Sequence, residues 1–311
     1  MGRYLIAGAA GYVGAQLAEQ LLRQGHAVRG LVRDPDHATA QRLAGLGMAV
    51  WQGDLTEPES LVGVANGVDV VYNLTARSLL DNGSVRRVFV DGNRNLIAAC
   101  SRARSVRAYL FTGNLAPYGD QGDAWVDEDT PAAPNYPLGQ VLAEAEQAIL
   151  ELVRAHRFPA MILRVATVYG PERDPIDSIA TGTATLIGDG RNYTARIHIE
   201  DLLQVLQRAA FDGEPGAIYN VGDDDPLRAV DLYAEVRRRL GMLPPRTYSK
   251  DVALASGLDP SVVGMASASV RLSNARLKHD LGMRLRHPSV RGWLAERLGR
   301  AEPELELALG H

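Results

Sequence analysis

Gly8, Gly11 and Gly14 stand between a short apolar run, Tyr4-Leu5-Ile6-Ala7, and a segment in which Val13, Leu17, Leu21 and Leu22 recur at helical spacing. This pattern reads as strand, turn and helix, with Gly25 as the helix stop. In such a unit one glycine permits the tight turn and one lets backbone amides approach a pyrophosphate. The third lets helix and strand pack closely. The helix start then presents free N–H groups and the positive end of its dipole to the phosphates. Three glycines alone also arise from small-residue packing in any strand-to-helix turn. The complete unit, followed by a second apolar run from His26 to Val32, is what points to a nucleotide.

Apolar runs continue at Ala49-Val50-Trp51, Val68 to Leu74, Arg107 to Thr112 and Ala160 to Val168. Helical patterns separate them over Ala38 to Leu46, Pro58 to Ala65 and Gly139 to His156. Strand and helix alternating this regularly predict right-handed βαβ units, hence an α/β fold with a doubly wound parallel sheet. Beyond Pro171 the alternation loosens, and Ile176 to Asn192 and Asp251 to Val270 read as loop excursions. Regular structure returns at Ala195 to Ala210 and at Ala217 to Val221. The division expected is a dinucleotide-binding domain over 1–170, with returns near 195–225. A smaller substrate lobe takes 171–194 and 226–311.

The end of the second strand selects the cofactor. An NAD site places an acid there for the ribose 2′-hydroxyl, whereas an NADP site favours arginine. The acid position falls on Val32 and is followed by Arg33, whose guanidinium pairs bidentately with phosphate, so NADP(H) is expected over NAD(H). The rival is that Asp34 takes the ribose and Arg33 is a solvated charge. Asp54-Leu55 suits the adenine edge, and Asp54 equally suits a helix cap before Thr56-Glu57-Pro58.

Composition narrows the chemistry. The chain has 311 residues, 33 of them basic, yet its only lysines are Lys250 and Lys278. Mechanisms that need a lysine in the first 249 positions are excluded, among them Walker-type phosphate binding and imine formation. A net charge of −4, with no basic run longer than Arg237-Arg238-Arg239, gives no nucleic-acid footprint. The single Cys100 excludes an internal disulfide or a multi-cysteine zinc site, so no metal is expected. No apolar stretch approaches the roughly 18 residues of a membrane span. The Met1-Gly2-Arg3 start is a weak match to a signal peptide, and the glycine motif so close behind it argues for a cytoplasmic protein.

The motifs together resemble the extended short-chain dehydrogenase/reductase superfamily of NAD(P)-dependent epimerase/dehydratase type. They are Gly8-x-x-Gly11-x-x-Gly14, Asp54-Leu55, Tyr72-Asn-Leu-Thr-Ala76, and Tyr136 with Glu144. Arg164 with Tyr169-Gly170-Pro171, Ile197-His198-Ile199-Glu200-Asp201, Tyr219-Asn-Val-Gly222 and the tail Leu281-Gly282 with Pro288-Ser289-Val290 continue the series in the family's order. The resemblance implies a Rossmann-type fold with a small C-terminal substrate lobe and, often, a homodimer. It places Gly8, Gly11, Tyr12, Val13, Gly14, Arg33, Asp54, Leu55, Leu74, Thr75, Ala76, Gln140 and Val168 on the cofactor.

The family's proton relay is where the match fails. Members usually carry Ser or Thr after the fifth strand and Tyr-x-x-x-Lys on the next helix. Here those positions hold Asn114, Tyr136 and Gln140, and the asparagine that often supports the relay is replaced by Phe89. Lacking a cation within about 4–6 Å, Tyr136 should stay near a phenol's ordinary value of about 10. It is then a proton donor to a forming alkoxide and a poor base for starting an oxidation. The catalytic candidates are Tyr136, Asn114 and Thr112. The plainer alternatives are a helix-start packing residue for Tyr136, a turn residue for Asn114, and a structural role for His198. Arg77, Ser78 and Asp81, after the fourth strand, are either ligand-facing or solvated.

Three functions compete. The leading expectation is an NADPH-dependent carbonyl reductase on a small-molecule or natural-product substrate, with an atypical, substrate-assisted proton relay. The alternatives are a nucleotide-sugar epimerase or dehydratase, against which the missing base argues, and a silent NADP(H)-binding sensor.

Overall fold

The computed structural model describes residues 2–75, 85–183 and 186–298. Its central sheet contains β1 (Arg3–Ala7), β2 (Ala27–Val32), β3 (Ala49–Gln52), β4 (Val70–Asn73), β5 (Ala108–Asn114), β6 (Ala160–Val165) and β7 (Ile218–Val221). The strand order is β7-β6-β5-β4-β1-β2-β3, and every neighbouring pair is parallel. The expected doubly wound sheet is therefore present. Its order reverses at β1, where Ala7 stands beside both Leu31 of β2 and Asn73 of β4. Ligands of such sheets bind outside the strand ends at this reversal.

The helices that cover the sheet are α1 (Tyr12–Arg23), α2 (Ala38–Gly45), α3 (Gly92–Ala103), α4 (Pro137–His156) and α5 (Ile199–Asp212). Side chains alternate across a strand, so neighbouring residues of β1 feed opposite cores. Tyr4 and Ile6 pack with Leu17, Leu21, Leu43, Leu202 and Leu206, which come from α1, α2 and α5. Leu5 and Ala7 pack with Leu96, Ile97, Leu142 and Ile149, from α3 and α4. Burial on both faces is why these strands read as continuous apolar runs. Cys100, on α3, is buried, and its surroundings push the thiol up to about 12. No helix among the described residues is long and apolar enough to cross a membrane.

The structure corrects four expectations. Pro58 to Ala65 is a single 3₁₀ turn over Pro58–Leu61, not a helix. The run from Ala160 to Val168 divides at Ala166, whose N–H reaches Val221 O, and Thr167–Tyr169 then pairs with Arg196–His198 instead of the main sheet. The segment from Ile176 to Asn192 contains most of a helix, Pro175–Ala180, capped by Asp174, and a strand, Leu186–Ile187. The segment from Asp251 to Val270 contains most of a helix over Lys250–Ala255 and all of one over Pro260–Ser267. Their caps are orthodox. Ser249 accepts from Val252 N at 3.2 Å, and Asp259 accepts from Ser261 N at 2.7 Å with Pro260 in the first turn. Helices this short have too few turns to show an apolar periodicity in a Ser-, Gly- and Ala-rich stretch.

Candidate functional site

The glycine turn is built as its spacing requires. Gly8 adopts φ +83°, and a Cβ there would sit 2.9 Å from Leu74 O. Gly11 N donates to Gly8 O at 3.0 Å, closing the turn. A Cβ on Gly14 would overlap the Gly8 carbonyl oxygen, so only glycine lets α1 approach β1. Gly11 is the N-cap of α1 and supplies no side-chain acceptor. The first-turn N–H groups of Tyr12, Val13 and Gly14 are thus left for a ligand. A cleft of about 620 Å³ opens here, lined by Gly8, Gly11, Tyr12, Val13, Gly14, Leu74 and Thr75. Its far end is formed by Leu31 to Asp34, His37, Asp54 and Leu55. This cradle of backbone amides, with glycine at 8, 11 and 14, fits a dinucleotide.

Most residues expected on the cofactor line that cleft. Arg33 is exposed and makes no ion pair among the described residues. Asp34 also lines it, with Oδ1 accepting from Asp36 N at 2.9 Å, so its carboxylate organises a turn. Asp54 does not cap the 3₁₀ turn, whose N-cap is Glu57. Asp54 lines the cleft, and its Oδ1 accepts from Thr56 N and Thr56 Oγ1, both at 2.8 Å. Gln140 stands apart, exposed in the first turn of α4 and absent from the lining of both clefts. Ala76, Arg77, Ser78 and Asp81 lie outside the described residues.

A second cleft of about 550 Å³ continues from the first, sharing Val13, Leu74, Thr75 and Arg173. Tyr136, Asn114 and Thr112 meet on its wall, with Val168 close by. Tyr136 is the N-cap of α4 and only 7% exposed, and burial pushes its phenol up to about 12. The departure from 10 expected for an unassisted tyrosine is thus upward, because desolvation adds to the missing cation. Its ring is seated against Gly264, where a Cβ would run into the ring. The hydroxyl has no hydrogen-bond partner among the described residues, so it is open to a ligand.

The neighbouring polar groups have defined polarity. Asn114 Oδ1 accepts from Ala116 N at 2.8 Å, leaving Nδ2 as a donor whose only contact is Met265 Sδ at 3.9 Å. The turn reading of Asn114 is realised, and the residue also lines the cleft. Thr112 Oγ1 donates to Asn73 O at 3.0 Å, so its proton is committed and it faces the cleft as an acceptor. It is not the alternative proton donor that the sequence offered. His198 is buried, lies outside both clefts, and caps α5 by accepting from Glu200 N at 3.3 Å. Its structural reading is the one realised.

Two features escaped the sequence. Asn73 is buried at the end of β4, and its Nδ2 donates to Asn93 Oδ1 at 2.9 Å and Tyr109 OH at 3.1 Å. Its Oδ1 accepts from Thr75 Oγ1 at 2.7 Å, which fixes a residue that touches both clefts. The neighbouring turn Arg87–Asp91 is a π-helical widening, and Asn93 Nδ2 holds its Phe89 carbonyl at 2.6 Å. The second feature is Arg173, whose guanidinium carbon lies 4.5 Å over the Tyr12 ring. Tyr12 OH in turn donates to Pro171 O at 2.5 Å. The signal for Arg173 was its place two residues beyond Tyr169-Gly170-Pro171, in a loop that closes back on the cleft.

Comparisons with known proteins agree with this geometry. The model of the NAD dependent epimerase/dehydratase family matches residues 4–222. A 3-diazoavenalumate denitrifying reductase of Streptomyces sp is 29% identical over 313 residues, covering 94% of this chain and 99% of that protein. The dTDP-glucose 4,6-dehydratase of Streptomyces niveus is 24% identical over 77% of this chain and 78% of its own length. Among solved structures, a functionally unknown conserved protein from Silicibacter pomeroyi superposes with TM-score 0.74 at 30% identity, covering 96% of this chain and 98% of that one. The dTDP-glucose 4,6-dehydratase DesIV from Streptomyces venezuelae, solved with NAD and TYD bound, gives TM-score 0.78 at 21% identity, covering 95% of each chain.

Proposed function

The chain belongs to the NAD dependent epimerase/dehydratase family, of extended short-chain dehydrogenase/reductase type, and from that premise we propose that it is an NADPH-dependent reductase of a small, largely apolar carbonyl substrate. The observation that carries the reading is the second cleft. Two donors, Tyr136 OH without a partner among the described residues and Asn114 Nδ2 with only the weak acceptor Met265 Sδ at 3.9 Å, stand on a wall that also carries Phe89, Leu115, Leu142 and Val165. Bound reduced nicotinamide supplies the hydride. The chain's own residues place the substrate oxygen between the Tyr136 hydroxyl and the Asn114 amide, which hydrogen-bond it as negative charge develops. Tyr136, neutral with its phenol held at about 12, gives up its proton to that oxygen. The same elevation leaves almost no phenolate at neutral pH to act as a base, so abstraction of an alcohol proton, the first need of an epimerase or dehydratase, is disfavoured. A substrate that carries its own acidic proton would relieve Tyr136 of part of this work.

The choice of NADPH rests on Arg33, an exposed guanidinium at the end of β2 with no ion pair among the described residues; Asp34 beside it uses Oδ1 in its turn. The full-length relative named for a reductase supports the reading, and the dehydratases among the relatives support the alternative of a nucleotide sugar. Against that alternative, Arg173 is the only charged residue among the described residues that line the cleft. The test is a panel of aromatic and aliphatic ketones and aldehydes mixed with protein and NADPH, followed by loss of reduced-nicotinamide absorbance. Consumption with an apolar carbonyl is expected. Tight NADPH binding with no consumption on any member would favour the silent sensor.

A further inference from the structure

Arg173 sits where the two clefts join and lines both. Its side chain donates no hydrogen bond and makes no ion pair among the described residues. Stacking on Tyr12 localises the charge without consuming a donor, since the attraction comes from the ring face. Tyr12 is itself held by Pro171 O, so the platform beneath the cation is fixed by a hydrogen bond of 2.5 Å. A localised guanidinium with free donors is a ready site for a carboxylate. The cofactor's pyrophosphate has less need of it, because the first turn of α1 already offers the N–H groups of Tyr12, Val13 and Gly14.

Building on the reductase reading, we propose that the substrate is an acid: an apolar body in the second cleft with a carboxylate held by Arg173. Among the described residues of that lining there is one cation and no acidic residue, which favours a ligand carrying a single negative charge. One carboxylate is matched by one guanidinium in charge and in bidentate geometry.

The experiment titrates trans-cinnamate and its uncharged analogue cinnamamide into NADP-saturated full-length protein by calorimetry, for the wild type and for Arg173→Gln. NADPH affinity is measured for both proteins alongside. Hydrogen bonds to a charged group, discounted for the exposure of Arg173, give an expected preference of about tenfold for cinnamate in the wild type. The preference should vanish in Arg173→Gln while NADPH affinity changes by less than about twofold. Equal binding of acid and amide, no binding of either, or a preference that survives the substitution overturns the proposal. So does a tenfold loss of NADPH affinity with the preference intact, which would assign Arg173 to the cofactor phosphates. These arms read binding alone, so failure of the reductase reading would appear separately, as absence of turnover.

Discussion

Replacing Tyr136 with phenylalanine removes one oxygen from the wall of the second cleft and nothing else. The hydroxyl has no protein partner among the described residues, so its loss leaves no acceptor or donor stranded, and the ring still fills its seat against Gly264. Folding stability should therefore stay within about 1 kcal/mol of the wild type. Activity should not. General acid help is worth roughly 10²–10⁴-fold, and Asn114 Nδ2 remains as a second donor, so a fall in kcat of about 10²–10³-fold is expected. KM should change little, because the lost interaction strengthens only as charge develops on the substrate oxygen. The pH profile adds a second reading. The working form is the neutral phenol, and its pKa is raised to about 12, so the acid is fully present at lower pH and is lost only as pH rises toward that value. Wild-type kcat for reduction should thus run flat from about pH 6 to about pH 10. NADPH oxidation followed by absorbance measures both. Turnover unchanged in Tyr136→Phe refutes the assignment. So does a basic limb near neutrality that the substitution abolishes, since that would require an acidified phenol.

Arg33→Ala should weaken NADPH binding about tenfold and leave NADH binding unchanged, as fluorescence titration would show; equal loss for both cofactors would remove the basis for the NADPH choice. Gly264→Ala should reverse the usual sign of a helical glycine-to-alanine change, which ordinarily gains about 0.5–1 kcal/mol. Its Cβ would run into the Tyr136 ring, so both melting temperature and kcat should fall. Arg164 and Glu146 form a buried pair, Nη2 to Oε2 at 2.7 Å, with Arg164 also 4.4 Å from the Tyr118 ring centroid. Arg164→Met leaves Glu146 buried without its partner and should cost about 3–5 kcal/mol in a urea melt, far more than an exposed pair such as Arg208 with Asp212.

What the sequence disclosed follows the range of the forces involved. The turn at Gly8, Gly11 and Gly14 is local, and its steric demands are written in adjacent residues, so both the cofactor cleft and the parallel sheet around it could be anticipated. The meeting of Thr112, Asn114 and Tyr136 was legible only because the motif order resembles a known family. Hydrogen-bond polarity was not legible. Nothing near Thr112 in the chain indicates that its proton goes to Asn73 O, 39 residues earlier. Arg173 reaches Tyr12 across 161 positions, and Gly264 meets Tyr136 across 128, contacts that only the folded chain creates. The C-terminal helices were hidden for a different reason. Ser249 and Asp259 are good caps, but the apolar faces they introduce are a turn or two long.

The central claim is that this site runs reduction and not an oxidation-first reaction. Its most direct measurement compares two reactions in one preparation at neutral pH: NADPH with an aromatic carbonyl, and NADP with the corresponding alcohol or with a nucleotide sugar. With Tyr136 held at about 12 and no lysine beside it, reduction should exceed either oxidation at saturation by about a hundredfold or more. Oxidation of the alcohol at a comparable rate, or conversion of the nucleotide sugar while the carbonyl is left untouched, would contradict it.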